Sequence, residues 1–200
     1  MGSNSRTQLE QWVKEIKLGK GLSVLDIGGA QKPVAGRLGE AEQCNFTILD
    51  LPTPHEIIEA PAISCDIQSN AQINDVFNLP MGEYKHASGD MVQRWELKQF
   101  DVAFALEVSE YWLQPLEALK NINMLLKKGG LFYASFHFIY PVHKPRLLDY
   151  LRYTEFGVRK LLDEAGFKIL EINGRKMTPE GLQAWEKYNG IEKNKSLDFL

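Results

Sequence analysis

The run FDVAFALEV, residues 100–108, constrains this chain most. It is apolar at almost every position, with no polar alternation to face water. Such a strand is buried on both faces, as in parallel sheets packed between helices. Short apolar segments elsewhere supply it with partners. LSVLDI (22–27), NFTILD (45–50), AISCDI (62–67), LFYASFHF (131–138) and FKILEI (167–172) all read as strands.

Helical patterns lie between these strands. Leu9, Trp12, Val13 and Ile16 recur at helical spacing within residues 5–18, and Gly19 and Gly21 stop that helix. KPVAGRLG (32–39) reads as a helix opened by Pro33. NAQINDVFN (70–78) predicts one or two helical turns. QPLEALKNINMLLKKGG (114–130) predicts an amphipathic helix with lysines in its last turn and glycines after it. TEFGVRKLLDEAGF (154–167) predicts another, closing on Gly166, and TPEGLQAWEKYN (178–189) a last one. Residues 79–98 mix Gly, Pro, charges and aromatics, and read as a surface insertion with one helix around Met91–Leu97. Alternating strands and helices imply right-handed crossovers. The expected fold is α/β: a doubly wound, mostly parallel, Rossmann-like sheet of six or seven strands with helices on both faces.

Composition narrows the function classes. A net charge of −3, with acids and bases spread along the chain, argues against general nucleic-acid binding. Cys44 and Cys65 form no disulfide framework and no metal-ligand spacing, and no metal is expected. No apolar run reaches the ~18 residues of a membrane span. The opening MGSNSRTQ is polar and lacks the apolar stretch of a signal peptide. A soluble, cytoplasmic protein with no membrane partner is expected.

Ligands of doubly wound sheets bind beyond the carboxyl ends of the strands, where strand order reverses. The first strand ends in Gly28-Gly29, but Ala30 breaks the Gly-x-Gly-x-x-Gly spacing of dinucleotide folds. Asp26 sits two residues before Gly28, Asp50 closes the second strand and Asp66 the third. A carboxylate beside the glycine turn repels phosphate and suits a cationic ligand.

Together VLDIGG, ILD and CDI resemble the first three motifs of class I S-adenosylmethionine-dependent methyltransferases. FDVAFALEV and LKNINMLLKKGGLFYASF resemble their fourth and fifth strands with the turn between. The resemblance runs from about residue 20 to residue 173. LDIGGAQKP and YPVHKPRLLDYLRYTEF further resemble small bacterial methyltransferases associated with glycan or surface-polysaccharide biosynthesis. One domain over 1–200 is then expected: an N-terminal helix (1–20), a cofactor-binding core (21–173) and a C-terminal extension (174–200).

The resemblance implies roles for particular residues. Gly28 and Gly29 would let backbone approach the cofactor, S-adenosyl-L-methionine. Asp26 would order its ammonium, and Asp50 would accept the ribose hydroxyls with Leu51 beside it. Asp66 would accept the adenine amine, with Ile67 packed on or near the ring. Glu107 would lie by the methionine moiety. Glu110 and Tyr111 stand where relatives often carry Glu-His. Simpler readings stand beside these: Asp26 caps a helix terminus, Asp50 makes a strand-end Asx turn, and Glu110 and Tyr111 are an ordinary acid and a packed aromatic.

The segment after the fifth strand is the expected acceptor wall. His143, in a proline-bounded loop, is the candidate general base. Asp149 and Arg152 are expected to line the crevice with it, or to pair with each other at i, i+3. His137 reads as a core histidine within a strand. The expected activity is O-methylation of a small molecule, sugar or glycan precursor. Ala30 and Lys32, at positions where the family has glycine, and Tyr111 keep open a non-catalytic binding or scaffold protein. A nicotinamide-dependent oxidoreductase fits the glycine spacing and Asp26 less well. If a seventh strand is missing, a homodimer could cover the open sheet edge.

Overall fold

The computed structural model describes residues 4–40, 43–54, 56–77, 100–138, 140, 142, 144–174, 179 and 183. Among them, five parallel strands form one sheet: β1 (Ser23–Ile27), β2 (Asn45–Asp50), β3 (Ile63–Ser64), β4 (Phe100–Ala105) and β5 (Leu126–Ala134). Their order is β3-β2-β1-β4-β5. The chain builds outward from β1 to β3, then crosses back to lay β4 on the other side of β1. The strand order therefore reverses between β1 and β4, where such sheets open a crevice.

Among the described residues, α1 (Asn4–Glu15), α2 (Asn70–Phe77), α3 (Pro115–Leu125) and α4 (Glu155–Glu164) accompany the sheet. The pleat of each strand decides which helix covers it. Leu25 and Ile27 of β1 join Ala103 and Ala105 of β4 under Ile73 of α2 and Leu119 and Ile122 of α3. Val24, Val102 and Phe104 face the other way, against Leu9 and Val13 of α1 and Ile16 just beyond it. Helices thus cover both faces, as the apolar β4 requires. Asp26 shares the pleat of Val24 and emerges on the α1 face.

Several elements differ from expectation, each for a local reason. Residues 32–39 hold only a 3-10 turn, Val34–Gly36, led by Pro33. Gly36 and Gly39 each cost roughly 1 kcal/mol inside a helix, while buried Val34 and Leu38 fix the segment to the core without one. Helix α1 ends at Glu15, before either glycine. Lys127 to Gly130 do not end a helix; they open β5. The ladder steps from Phe100↔Leu126 to Val102↔Leu131, and that irregularity accommodates them. Lys127 Nζ reaches Asp101 Oδ1 at 2.7 Å. That hydrogen bond, with the Ser23 amide, holds the Asp101 carboxyl down to about 2.

Among the described residues the sheet has five strands, where six or seven are expected for the whole chain. FKILEI is described and is not a strand. Phe167 and Ile169 are half-buried while Lys168 and Leu170 are exposed, so the alternation is present. Phe167 packs on Phe132 with ring centroids 5.1 Å apart. What the segment lacks is a ladder partner among the described residues, and alternation without pairing leaves extended chain.

Residues 78–99, including the expected 91–97 helix, lie outside the described residues, as does most of 175–200. The anchors of the first segment are informative. Phe77 ends α2, Phe100 starts β4, and both are buried in one cluster. They stand at the amino-terminal edge of the sheet, opposite the Gly28 turn.

Candidate functional site

The Gly28 turn follows β1 at the carboxyl edge. Gly28 has φ +73, and a Cβ there would come within 2.6 Å of Val108 Cγ2. A Cβ on Gly29 would fall on the Asp26 carboxylate. Both glycines are therefore required by the fold itself, whatever ligand the turn approaches. Asp26 is 4% exposed, and its Oδ2 accepts the Val34 N–H at 2.6 Å. The carboxylate caps the 3-10 turn. Burial pushes its pKa up to about 7, against the Val34 hydrogen bond and the nearby Arg37 charge.

Ala30 and Lys32, the departures from the family glycines, both have structural work in this chain. The Ala30 carbonyl accepts the amides of Ile58 and Glu59 at 2.8 and 3.0 Å, which ties the loop after β2 onto the turn. Gln31 Nε2 adds a bond to Glu56 Oε2 at 2.7 Å. Lys32 Nζ and Arg37 both reach Glu10 of α1, at 2.5 and 3.2 Å. Burial raises the Glu10 carboxyl, but the Lys32 hydrogen bond and the Arg37 charge outweigh it and hold it below its ordinary value. Helix α1 is thereby fastened to the glycine loop.

At the end of β2, Asp50 Oδ2 accepts the Ala30 N–H at 3.0 Å and Oδ1 accepts the Leu51 N–H at 2.8 Å. Burial raises its pKa while these two amides oppose the rise. Each carboxylate oxygen retains acceptor capacity beyond these bonds. Leu51 is 41% exposed beside it. Beyond β3, Asp66 Oδ1 accepts the Gln68 amide at 3.0 Å. Ile67 is buried in the main core, and its carbonyl accepts Asn121 Nδ2 at 2.8 Å. Asp26, Gly28, Asp50 and Asp66 thus stand at or beside the carboxyl ends of three neighbouring strands.

The wall beyond β4 and β5 is built from paired side chains. Glu107 holds φ 57, the left-handed region that non-glycine residues rarely adopt. Its amide donates to Ser135 Oγ at 2.8 Å. Its carboxylate lies 3.6 Å from Arg6 of α1 and 4.0 Å from His137. His137 Nδ1 is 3.1 Å from Glu110 Oε1. Both are almost fully buried, and Tyr140 stacks on the imidazole at 4.3 Å. Tyr111 is a packed aromatic whose hydroxyl donates to the Lys144 carbonyl at 2.6 Å; burial and the Glu110 charge raise its pKa.

Asp149 and Arg152 form a two-pronged pair, Nη1–Oδ1 2.5 Å and Nη2–Oδ2 2.7 Å. The amides of Tyr150 and Leu151 donate to the Glu110 carbonyl, which brings this pair against the end of β4. His143 lies outside the described residues. Sequence reasoning missed the His137–Glu110 contact. Its signal was available in register: Ala105 faces Ala134 across β4 and β5, so residues just past both strand ends must meet.

A methyltransferase-domain family model matches residues 1–172. No curated protein matches the sequence. A provisionally named methyltransferase of Bacillus halodurans C-125 shares the fold at TM-score 0.56 and 14% identity, over 95% of this chain and 86% of that one. Haemonchus contortus phosphoethanolamine N-methyltransferase 2, solved with S-adenosyl-L-methionine, superposes at TM-score 0.54 and 14% identity, over 94% of this chain and 43% of that one. CalO1, a methyltransferase in calicheamicin biosynthesis solved with SAH, gives TM-score 0.54 at 13% identity, over 85% and 50% of the two chains. With the five-stranded parallel sheet and its acid-lined carboxyl edge, the match over residues 1–172 places this chain in the methyltransferase-domain family.

Proposed function

We propose that the chain is an S-adenosylmethionine-dependent methyltransferase acting on an oxygen of a small molecule, sugar or glycan precursor. The observation that carries the cofactor assignment is the placement of Asp26. Its carboxylate already caps the Val34 N–H beside the glycine turn, where a dinucleotide fold would seat its pyrophosphate. Burial raises the Asp26 pKa to about 7; in its ionised form the carboxylate repels a second anion and attracts a cation, and a bound cation favours that form. The donor set at the strand ends, Asp26, Asp50, Asp66 and Glu107, consists of carboxyl groups throughout, and in ionised form it fits a ligand bearing ammonium and sulfonium groups. The nicotinamide reading meets the opposite difficulty.

Asp50 accepts the ribose hydroxyls with its remaining lone pairs, and Leu51 offers an exposed apolar side chain next to them. Asp66 accepts the adenine amine, with Ile67 setting the position of that strand end. Asp26 and Glu107 provide the negative charge for the methionyl end. Bound there, the cofactor supplies a sulfonium-activated methyl group for in-line displacement, and orientation of the acceptor provides much of the rate. His143 takes the acceptor hydroxyl proton. Its neighbour Lys144 is tied by its carbonyl to Tyr111, just past β4, which supports that place for the loop. Arg152, held by the buried Asp149, offers its partly exposed guanidinium to a hydroxylated acceptor.

The test is transfer from tritiated-methyl cofactor to a panel of hydroxylated acceptors. The expected outcome is labelled product stable to mild base, as an ether is, with the rate reduced at least tenfold in His143→Gln. Label recovered only in amines or in base-labile esters would overturn the assignment of a hydroxyl acceptor.

A further inference from the structure

The chain leaves β5 at Ala134 and, after Phe138, comes back to Glu110 at Tyr150. Its backbone is tethered inward. The Tyr111 hydroxyl holds the Lys144 carbonyl at 2.6 Å, Arg152 Nε holds the Tyr140 carbonyl at 3.3 Å, and the Tyr150 amide holds the Glu110 carbonyl at 2.9 Å. Five of its described apolar side chains nevertheless face outward. Leu147 is 91% exposed, Phe138 60%, Val142 47%, Tyr150 42% and Leu148 41%. Single exposed apolar residues need no explanation, but a cluster on one tethered loop marks a contact surface.

The charges beside that cluster identify the contact. The acid of the loop, Asp149, has a side chain fully withdrawn from solvent and clasped by Arg152. Lys144 and Arg146 are exposed, and neither side chain has an ion pair among the described residues. The loop therefore shows solvent apolar groups and two cations but no exposed anion, on a chain of net charge −3. Apolar side chains enter the headgroup–acyl boundary of a bilayer, and adjacent cations meet anionic headgroups. A second copy of the chain fits less well. A two-fold contact through this loop would bring the same cations together from both sides.

We propose that the exposed side chains of Phe138, Val142, Leu147 and Leu148, with Lys144 and Arg146, dock the protein reversibly on an anionic bilayer surface. The contact is peripheral; no described helix is long and apolar enough to cross a membrane. The docking rests on the exposure of these side chains and not on the methyltransferase reading.

The test is sedimentation of the full chain with vesicles of phosphatidylcholine alone or with phosphatidylglycerol. Partition is expected to be roughly tenfold stronger on the anionic vesicles and to fall as salt rises. Leu147→Ser should weaken it on both, with an unchanged thermal midpoint because this side chain is almost fully exposed. Lys144→Glu with Arg146→Glu should abolish the preference for anionic lipid. No sedimentation of the parent chain would overturn the proposal, as would equal partition of parent and variants. So would a concentration-dependent dimer, lost in Leu147→Ser, without vesicle binding. Cofactor binding read on the same samples separates failure of the docking from failure of the methyltransferase reading.

Discussion

The wall at the ends of β1 and β2 is held by carboxylates that receive backbone amides: Asp26 takes Val34, and Asp50 takes Ala30 and Leu51. The wall past β4 and β5 is held by side chains that face one another: His137 with Glu110, Asp149 with Arg152. The first construction fixes a backbone shape and leaves carboxylate lone pairs for a ligand. The second fixes side-chain positions and depends on both members of each pair. The two walls should therefore break differently.

The largest effect is expected on the second wall. Glu110→Ala leaves a buried His137 without its 3.1 Å carboxylate and empties a fully buried side-chain site, and a stranded polar group together with a cavity costs roughly 3–5 kcal/mol. Urea denaturation measures it. A loss below about 1 kcal/mol would mean that the pair adds nothing to the wall.

Next comes the glycine turn. Gly28→Ala places a side chain at φ +73 and against Val108, for a cost of roughly 3 kcal/mol from left-handed strain and overpacking together. The same denaturation series checks it, and a neutral result would remove the steric reason for this glycine.

The third effect is pH-dependent. Burial raises the Asp26 pKa to about 7 from 3.8. The folded chain then holds a proton that the unfolded chain has released. For this group, stability is greatest below the unfolded pKa and falls as pH rises through the folded one, between about pH 4 and pH 7, by at most about 1.4 kcal/mol per pH unit. Asp26→Asn keeps an acceptor for Val34 and should flatten that slope. Stability profiles that coincide for parent and variant across this window would contradict the assignment.

The smallest effect sharpens the comparison. Lys32→Gly restores a family glycine but removes a half-exposed cation from Glu10. The expected cost is roughly 0.5–1 kcal/mol, with no gain in cofactor affinity. Tighter cofactor binding by this variant would show that Lys32 impairs the turn.

The first wall was the more legible from the sequence because its logic is short-range. An apolar run that ends in Asp or Gly names a strand end, and strand ends of a parallel sheet share one edge. Asp26, Gly28, Asp50 and Asp66 followed from that alone. The fold class followed from the apolar β4 and the alternation around it. What was not legible depends on contacts distant in sequence. Glu110 and His137 meet only once β4 and β5 are in register. Lys32 reads as a lost glycine until Glu10 of α1 lies against it. FKILEI has a strand's alternation, but pairing is not a property of one segment. Lys127 and Lys128 suit a helix end by composition, yet Asp101 draws Lys127 into β5.

The central claim is that the carboxylate-lined edge of the sheet binds S-adenosylmethionine. Isothermal calorimetry of the folded chain, parent and Asp50→Ala, tests it most directly. The parent should give saturable heat with S-adenosylmethionine or S-adenosylhomocysteine and none with NADH. Asp50→Ala should bind more weakly by roughly 1.5–3 kcal/mol, with its fold retained by circular dichroism. No heat from the parent at millimolar cofactor, or equal affinity in the variant, would contradict the site.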